Sequence, residues 1–203
     1  LDDIPQNADV YFYAVRDEVL GDVINKVHVP ARALHLHTSG TMPISLFGSD
    51  KPHSGIFYPL QTFSKQNILK DFSTIPVFIE ANGIDDISAI YSLALILTSH
   101  IYEVKQQDRE RLHLAGVWVN NFTNYMYQTG SDILKGTHLP FQVLLPLIDE
   151  TAQKVHTLSP QDAQTGPARR SDVKVMNHHL SLMTDPEQKH MYELISQQIA
   201  KKY

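Results

Sequence analysis

The sequence predicts an α/β half followed by an all-α half, with the change near Val104. Three observations carry this. Before Val104, short and nearly continuous apolar runs such as DVYFYAV (Asp9–Val15) and ALHLH (Ala33–His37) have the character of strands covered on both faces. Between those two runs, apolar residues recur at helical spacing. After Val104 the helical spacing continues and strand formers no longer alternate. The expected division is a sheet-forming domain at 1–104 and a helical domain at 105–203.

The elements follow in order. Asp9–Val15 is the first predicted strand, and Arg16, Asp17 and Glu18 lead into Val19, Leu20, Val23, Ile24 and Val27 at helical spacing. Ala33–His37 is a second strand that runs into Thr38-Ser39-Gly40. Strand, helix and strand within ~30 residues make a βαβ unit, hence a parallel pair. Further strands are expected at Gly55–Tyr58, Pro76–Ala81 and Ile101–Val104, with a helix from about Asp85 to Thr98. Lys105 to about Lys135 is helical. Pro140 is placed to open the next helix, which runs to about His156, and Pro146 inside it is expected to kink it. Leu158–Arg170 reads as a Pro/Gly/polar loop and Ser171–Met183 as a helix. Thr184-Asp185-Pro186-Glu187 has the form of a capping box opening a last helix to about Lys202. There is no internal repeat and no low-complexity tract.

Composition excludes several classes of function. Lys plus Arg is 17 against 22 Asp plus Glu, a net charge of −5, which lacks the basic footprint of a nucleic-acid binder. An apolar fraction of 42% with 9% aromatics is not that of a disordered chain. The longest apolar stretch, Ile87–Ile101, is broken by Tyr91, Ser92, Thr98, Ser99 and His100, so no membrane span is predicted. The opening residues LDDIPQNAD do not have the form of a signal peptide. With no cysteine, disulfides, Cys-ligated zinc and a thiol nucleophile are all excluded. The expectation is a soluble cytoplasmic protein with a small-molecule substrate and neither a nucleic-acid nor a membrane partner.

An open α/β sheet binds ligands at the carboxyl ends of its strands. Two such ends are legible, Val15-Arg16-Asp17 and Thr38-Ser39-Gly40. Val15, Arg16, Thr38, Ser39 and Gly40 are therefore the candidate dinucleotide-binding residues, unless both segments are ordinary strand-to-helix turns. No GxGxxG turn and no P-loop is present to cradle a pyrophosphate. On an α-helix, His113, Asn120 and Asn124 fall on one face within ~20°, with Asn121 ~80° round from His113. A histidine works as an acid or base near neutral pH, and an asparagine orients a substrate oxygen. His113, Asn121 and Asn124 are the catalytic candidates; the alternative is that they satisfy hydrogen bonds within the fold. In the loop Gln164–Arg170, Arg169 and Arg170 offer forks suited to a carboxylate or phosphate, or else form a solvated basic loop. Asp149 and Glu150 are consecutive and diverge by ~100° on a helix, so they are not a paired-carboxylate site. His35 and His37 share a strand face without an accompanying carboxylate set, so no metal site is assigned.

Taken together, the runs HTSG, FYPLQTFSK, PVFIEA, RLHLAGVWVNNFTNYMY, LLPLIDETAQKV and AQTGPARRSD resemble the Rossmann-like NADP oxidoreductases that carry a C-terminal helical domain of otherwise unknown function. That group is often labelled as similar to deazaflavin-dependent NADP reductases. The resemblance covers essentially the whole chain. It implies the C-terminal part of a Rossmann-like parallel sheet, followed by a helical domain similar to those of pyrroline-carboxylate reductase and 6-phosphogluconate dehydrogenase. It also implies NADP or NAD as cofactor, a homodimer made by the helical domains, and an active site in the cleft between domains. Gln61 and Thr62, within PLQTFS, and Arg169 and Arg170, within TGPARR, are the candidate substrate-binding residues.

Members of that group begin with a strand and a Gly-rich turn ahead of the segment matching Asp9–Val15. That piece is not in this sequence, either because it was removed or because the sequence is a fragment, unless it is genuinely absent, and cofactor binding is expected to need it. Two classes of function remain open: an oxidoreductase that moves a hydride between NADP and a small carbonyl or imine, and a non-catalytic homodimer that binds a dinucleotide or metabolite.

Overall fold

The computed structural model describes residues 3–64 and 71–203. The chain forms two compact units, 1–122 and 123–203. In the first, five strands make one sheet in the order of the sequence: β1 Val10–Tyr13, β2 Leu34–His37, β3 Ser54–Pro59, β4 Val77–Ala81 and β5 Ile101–Glu103. Each overlaps a predicted strand, and β3 extends one residue beyond both ends of the expected Gly55–Tyr58. Helix α1 (Asp17–Lys26) links β1 to β2, a 3₁₀ turn (Ile44–Phe47) lies between β2 and β3, and α2 (Ile84–Leu95) links β4 to β5.

β1, β2 and β3 are parallel, as are β4 and β5. The expectation of a parallel sheet fails at one junction, because β3 and β4 are antiparallel. Pro59, the last residue of β3, faces Val77, the first of β4, so the chain turns back at the end it has just reached. A parallel pairing would need a crossover to the other end.

Strand alternation sorts the core into two layers. On one face Tyr11 and Tyr13 pack with Leu20 and Ile24 of α1 and with Phe47. On the other, Leu34, Leu36, Phe57, Val77 and Ile79 pack against Ile90 and Ala94 of α2. Gly55 permits that second contact: a Cβ there would meet Ile90 Cδ1 at 2.4 Å and the Glu80 carbonyl at 2.6 Å. His35 and His37 lie on the first face, fully buried. Burial, with Tyr11 beside it, pushes the Tyr13 hydroxyl up to about 12. The hydroxyl is thus a donor, to His35 Nδ1 at 3.1 Å, and His35 Nε2–H donates to the Pro30 carbonyl.

Past β5 come α3 (Gln106–Gly116) and a π-helical turn (Val117–Phe122). The composition shift at Val104 thus marks the last strand among the described residues, while α3 still belongs to the first unit. The second unit holds α4 (Thr123–Leu134), a 3₁₀ turn (Phe141–Leu144), α5 (Leu145–Lys154), α6 (Pro160–Ala163), α7 (Val173–Leu182) and α8 (Pro186–Lys202). Three local expectations are corrected here. Pro146 does not kink a helix, because the preceding segment is 3₁₀ and Pro146 falls in the first turn of α5, where its missing N–H costs nothing. The expected loop at Leu158–Arg170 contains the short α6, capped by Ser159. Asp185, not Thr184, caps α8 by accepting from the Glu187 and Gln188 amides, which places Glu187 one position too early to complete a capping box. Among the described residues no helix is long and apolar enough to cross a membrane.

Candidate functional site

The parallel pairing of β1, β2 and β3 brings three chain segments to one end of the sheet. Tyr13 is paired with His37 and His37 with Ile56, so Val15–Arg16, Thr38–Gly40 and Gln61–Thr62 all follow the carboxyl ends of neighbouring strands. Val15 is 41% exposed. The Arg16 side chain is also exposed and its only described ion pair is a 3.7 Å contact with Glu18. Gln61 and Thr62 are exposed, with the Thr62 amide donating to Gln61 Oε1.

The loop after β2 is held from inside. The Ser39 amide donates to His37 Nδ1 at 3.2 Å, which leaves Nε2 of His37 as the protonated nitrogen, turned to the Pro43 carbonyl. Burial holds the His37 pKa down at about 4, so the ring is neutral. Ser39 Oγ accepts from the amides of Thr41 and Met42 at 3.1 and 3.0 Å, and Thr41 Oγ1 donates to Asp17 at the start of α1. The Ser39 carbonyl is taken by Arg109 Nη1 at 3.0 Å, as is that of Met42. The Ser39 amide, carbonyl and Oγ thus each take part in a hydrogen bond within the protein.

Arg109, on α3, is fully buried and completes the clamp. Its Nη2 and Nε reach Glu80 Oε2 on β4 at 3.1 and 3.4 Å. One guanidinium thus ties α3, β4 and the loop after β2 together, with every bond charge-assisted.

One turn further along α3, His113 lies directly on Gly40. A Cβ at Gly40 would meet His113 Nδ1 at 2.5 Å, Cγ at 2.8 Å and Cβ at 3.0 Å. The first two distances are essentially never found for a real Cβ, so the close approach favours glycine. His113 Nδ1 is also 3.1 Å from the Tyr58 hydroxyl, near the end of β3. Burial raises the Tyr58 pKa, against a lowering by the Arg109 charge. An imidazole is therefore fixed by its Nδ1 edge at the carboxyl end of a parallel strand pair.

The structure brings together Val15, Arg16, Thr38, Ser39, Gly40, Gln61, Thr62 and His113 within the first unit. The His/Asn stripe fares differently. Its spacing assumed an unbroken α-helix, and the π turn at Val117–Phe122 changes the angular advance past His113. Asn120, Asn121 and Asn124 are exposed, Asn121 in the first unit and Asn124 in the second. Arg169 and Arg170 lie in the second unit. Arg169 is occupied locally, donating to the Gln164 carbonyl and stacking over the Tyr203 ring at 4.9 Å. Sequence reasoning missed Arg109, Glu80 and Tyr58. Tyr58 stood inside the FYPLQTFS motif; the Arg109–Glu80 pairing had no local signal. No group of three or more His, Cys, Asp or Glu among the described residues is arranged to hold a metal ion.

The model of the family described as Domain of unknown function (DUF2520) matches residues 75–199. A solved structure of a proposed NADP oxidoreductase from Bacteroides fragilis is 41% identical, over 98% of this chain and 78% of its own, with a TM-score of 0.90. A Thermotoga maritima protein is 19% identical over 98% of this chain and 80% of its own, with a TM-score of 0.78. An imine reductase from Myxococcus stipitatus, solved in complex with NADP+, is 11% identical over 97% of this chain and 73% of its own, with a TM-score of 0.61. The last two are similar in fold alone. Comparison with curated proteins gave no match.

Proposed function

The chain belongs to the DUF2520 family, and from that premise we propose that it serves as an NADP-dependent oxidoreductase acting on a small carbonyl or imine. The observation that carries the reading is the seat of His113: an imidazole against Gly40, at the end of the sheet where α/β folds take their ligands. The names of the similar structures support it, one being a proposed NADP oxidoreductase and one an imine reductase with NADP+ bound. The described residues fit the nicotinamide half of a dinucleotide, with the exposed apolar Val15 beside the Thr38–Gly40 loop. Residues 1–203 contain no Gly-rich turn for the pyrophosphate, so no phosphate ligand is assigned among them.

When bound, the dinucleotide supplies the hydride. The part of this chain is the proton and the placement. His113 donates or relays a proton to the oxygen or nitrogen that gains charge as its carbon is reduced. Asn121 orients that group, and Gln61 and Thr62 line the approach. The second unit pairs with its copy in a homodimer; among the described residues of 123–203 only Ala168 is buried, and many apolar side chains are exposed.

Calorimetry of full-length protein with NADP and NAD tests the cofactor. Turnover of a carbonyl and imine panel with NADPH then tests the chemistry. His113→Ala is expected to lower kcat ~10²–10⁴-fold, the usual share of a positioned acid or base. Binding of NADP with kcat unaffected by that substitution would favour the non-catalytic binding protein instead.

A further inference from the structure

We propose that Tyr58 is a positioning residue that fixes the tautomer of His113: its O–H donates to Nδ1, and the imidazole carries its own proton at Nε2. The two atoms are 3.1 Å apart, and either could in principle be the donor. Three features decide the direction. First, the Tyr58 hydroxyl has no other hydrogen-bond partner among the described residues, so the reverse arrangement leaves the phenol proton without a protein acceptor. Second, a phenol donates better than it accepts, and the bare nitrogen of a neutral imidazole is the stronger acceptor of the two. Third, the same pair recurs in the core with its direction settled independently. Tyr13 O–H meets His35 Nδ1 at the same 3.1 Å, and His35 Nε2 faces a carbonyl that can only accept. Burial keeps the Tyr58 hydroxyl protonated and so available as a donor.

Gly40 reinforces the arrangement. The Nδ1 edge of the ring is the one wedged against Gly40 and Tyr58, and Nε2 on the opposite edge has no hydrogen bond to a described residue. A ligand group at His113 therefore meets an N–H donor at Nε2 rather than a lone pair. That suits a carbonyl oxygen or an imine nitrogen, both of which offer a lone pair, and it disfavours a group that must itself donate. The use made of this donor rests on the oxidoreductase reading; the tautomer does not.

The test needs no substrate. Full-length protein labelled with ¹⁵N-histidine is observed at alkaline pH by long-range proton–nitrogen correlation. His113 signals are identified by their loss in His113→Gln. The expected spectrum has Nδ1 of His113 at the shift of an unprotonated nitrogen and Nε2 at that of a protonated one. In Tyr58→Phe, which keeps the ring and its packing on Phe78, both shifts should move toward an average of the two tautomers. A wild-type spectrum with the proton on Nδ1 overturns the proposal by itself, whether or not the variant folds. So does a folded Tyr58→Phe whose His113 shifts are unchanged. Should the tautomer stand while the protein fails to turn over any carbonyl or imine with NADPH, the reaction falls and the positioning role remains.

Discussion

Removing the Glu80 charge strands the Arg109 guanidinium where water does not reach it. Arg109 is 0% exposed and Glu80 is its ionic partner. Breaking a buried pair from one side leaves an uncompensated charge, so Glu80→Gln should destabilise the protein by about 3–5 kcal/mol in urea unfolding. Arg109→Met, which removes the other partner, is a distinct case, because it also frees the carbonyls of Ser39 and Met42. The glycine at position 40 is constrained as tightly. Gly40→Ala places a methyl within 3.0 Å of three His113 atoms, two of them close to the backbone of α3. It should therefore move His113 off the end of the sheet and cut turnover with a fold still intact by circular dichroism. The buried His37 makes a further prediction, on pH. Its folded pKa of about 4 lies below the ordinary 6.5, so between these values the unfolded chain takes up a proton that the folded one refuses. Stability should be full above pH 6.5, fall as the pH drops toward 4, and level off below. The span is on the order of 3 kcal/mol at 1.36 kcal/mol per pKa unit. His35, lowered by burial too, adds in the same direction. Unfolding curves at pH 7.5 and 5 should show the loss, and a His37→Gln protein that still shows all of it would refute the assignment.

At the level of elements, Asp185 makes the simplest prediction. Its carboxylate accepts from two amides at the start of α8, so Asp185→Ala should cost about 1 kcal/mol, while Thr184→Ala should cost little. The contrast between the two separates the observed cap from the capping box that the sequence suggests. The strands were legible because apolar side chains on both faces leave nearly continuous apolar runs: VYFY lies inside the predicted Asp9–Val15 and VFIEA inside Pro76–Ala81. Their direction was less so. The reversal at β4 depends on where the chain re-enters the sheet after Pro59, and an apolar run carries no direction. The π turn was illegible for a related reason. Its residues VWVNNF show the spacing of any apolar helix segment, and one shifted hydrogen-bond register leaves no mark in composition. At the site, His113 and Gly40 could be singled out by residue type, since an imidazole and a strand-end glycine announce chemistry. Arg109 could not. An arginine amid Asp108, Glu110 and Arg111 reads as part of a solvated face, and its partner Glu80 is 29 residues away.

For the whole molecule, the two units differ in what they hide. The first buries a layer of core on each face of its sheet. The second offers several helices and, among its described residues, a single buried side chain, Ala168. Small domains bury a lower fraction of their surface than large ones, and this unit leaves many apolar side chains exposed. Leu147 at 64% and Leu182 at 67% exposure sit on α5 and α7, beside others such as Val143 and Val173. Exposed apolar side chains of this kind are what the proposed homodimer would cover. Light scattering should give a dimer at micromolar concentration. Two substitutions sharpen the test, because a monomer and a dimer respond to them oppositely. On a lone chain, Leu147→Glu and Leu182→Glu replace exposed side chains and should change stability by no more than about 0.5 kcal/mol. In a dimer, they bury a carboxylate at an apolar interface, so the proteins should dissociate and lose the concentration dependence of their melting temperature. A wild-type monomer, or variants that melt and sediment as wild type does, would leave this surface unexplained by pairing.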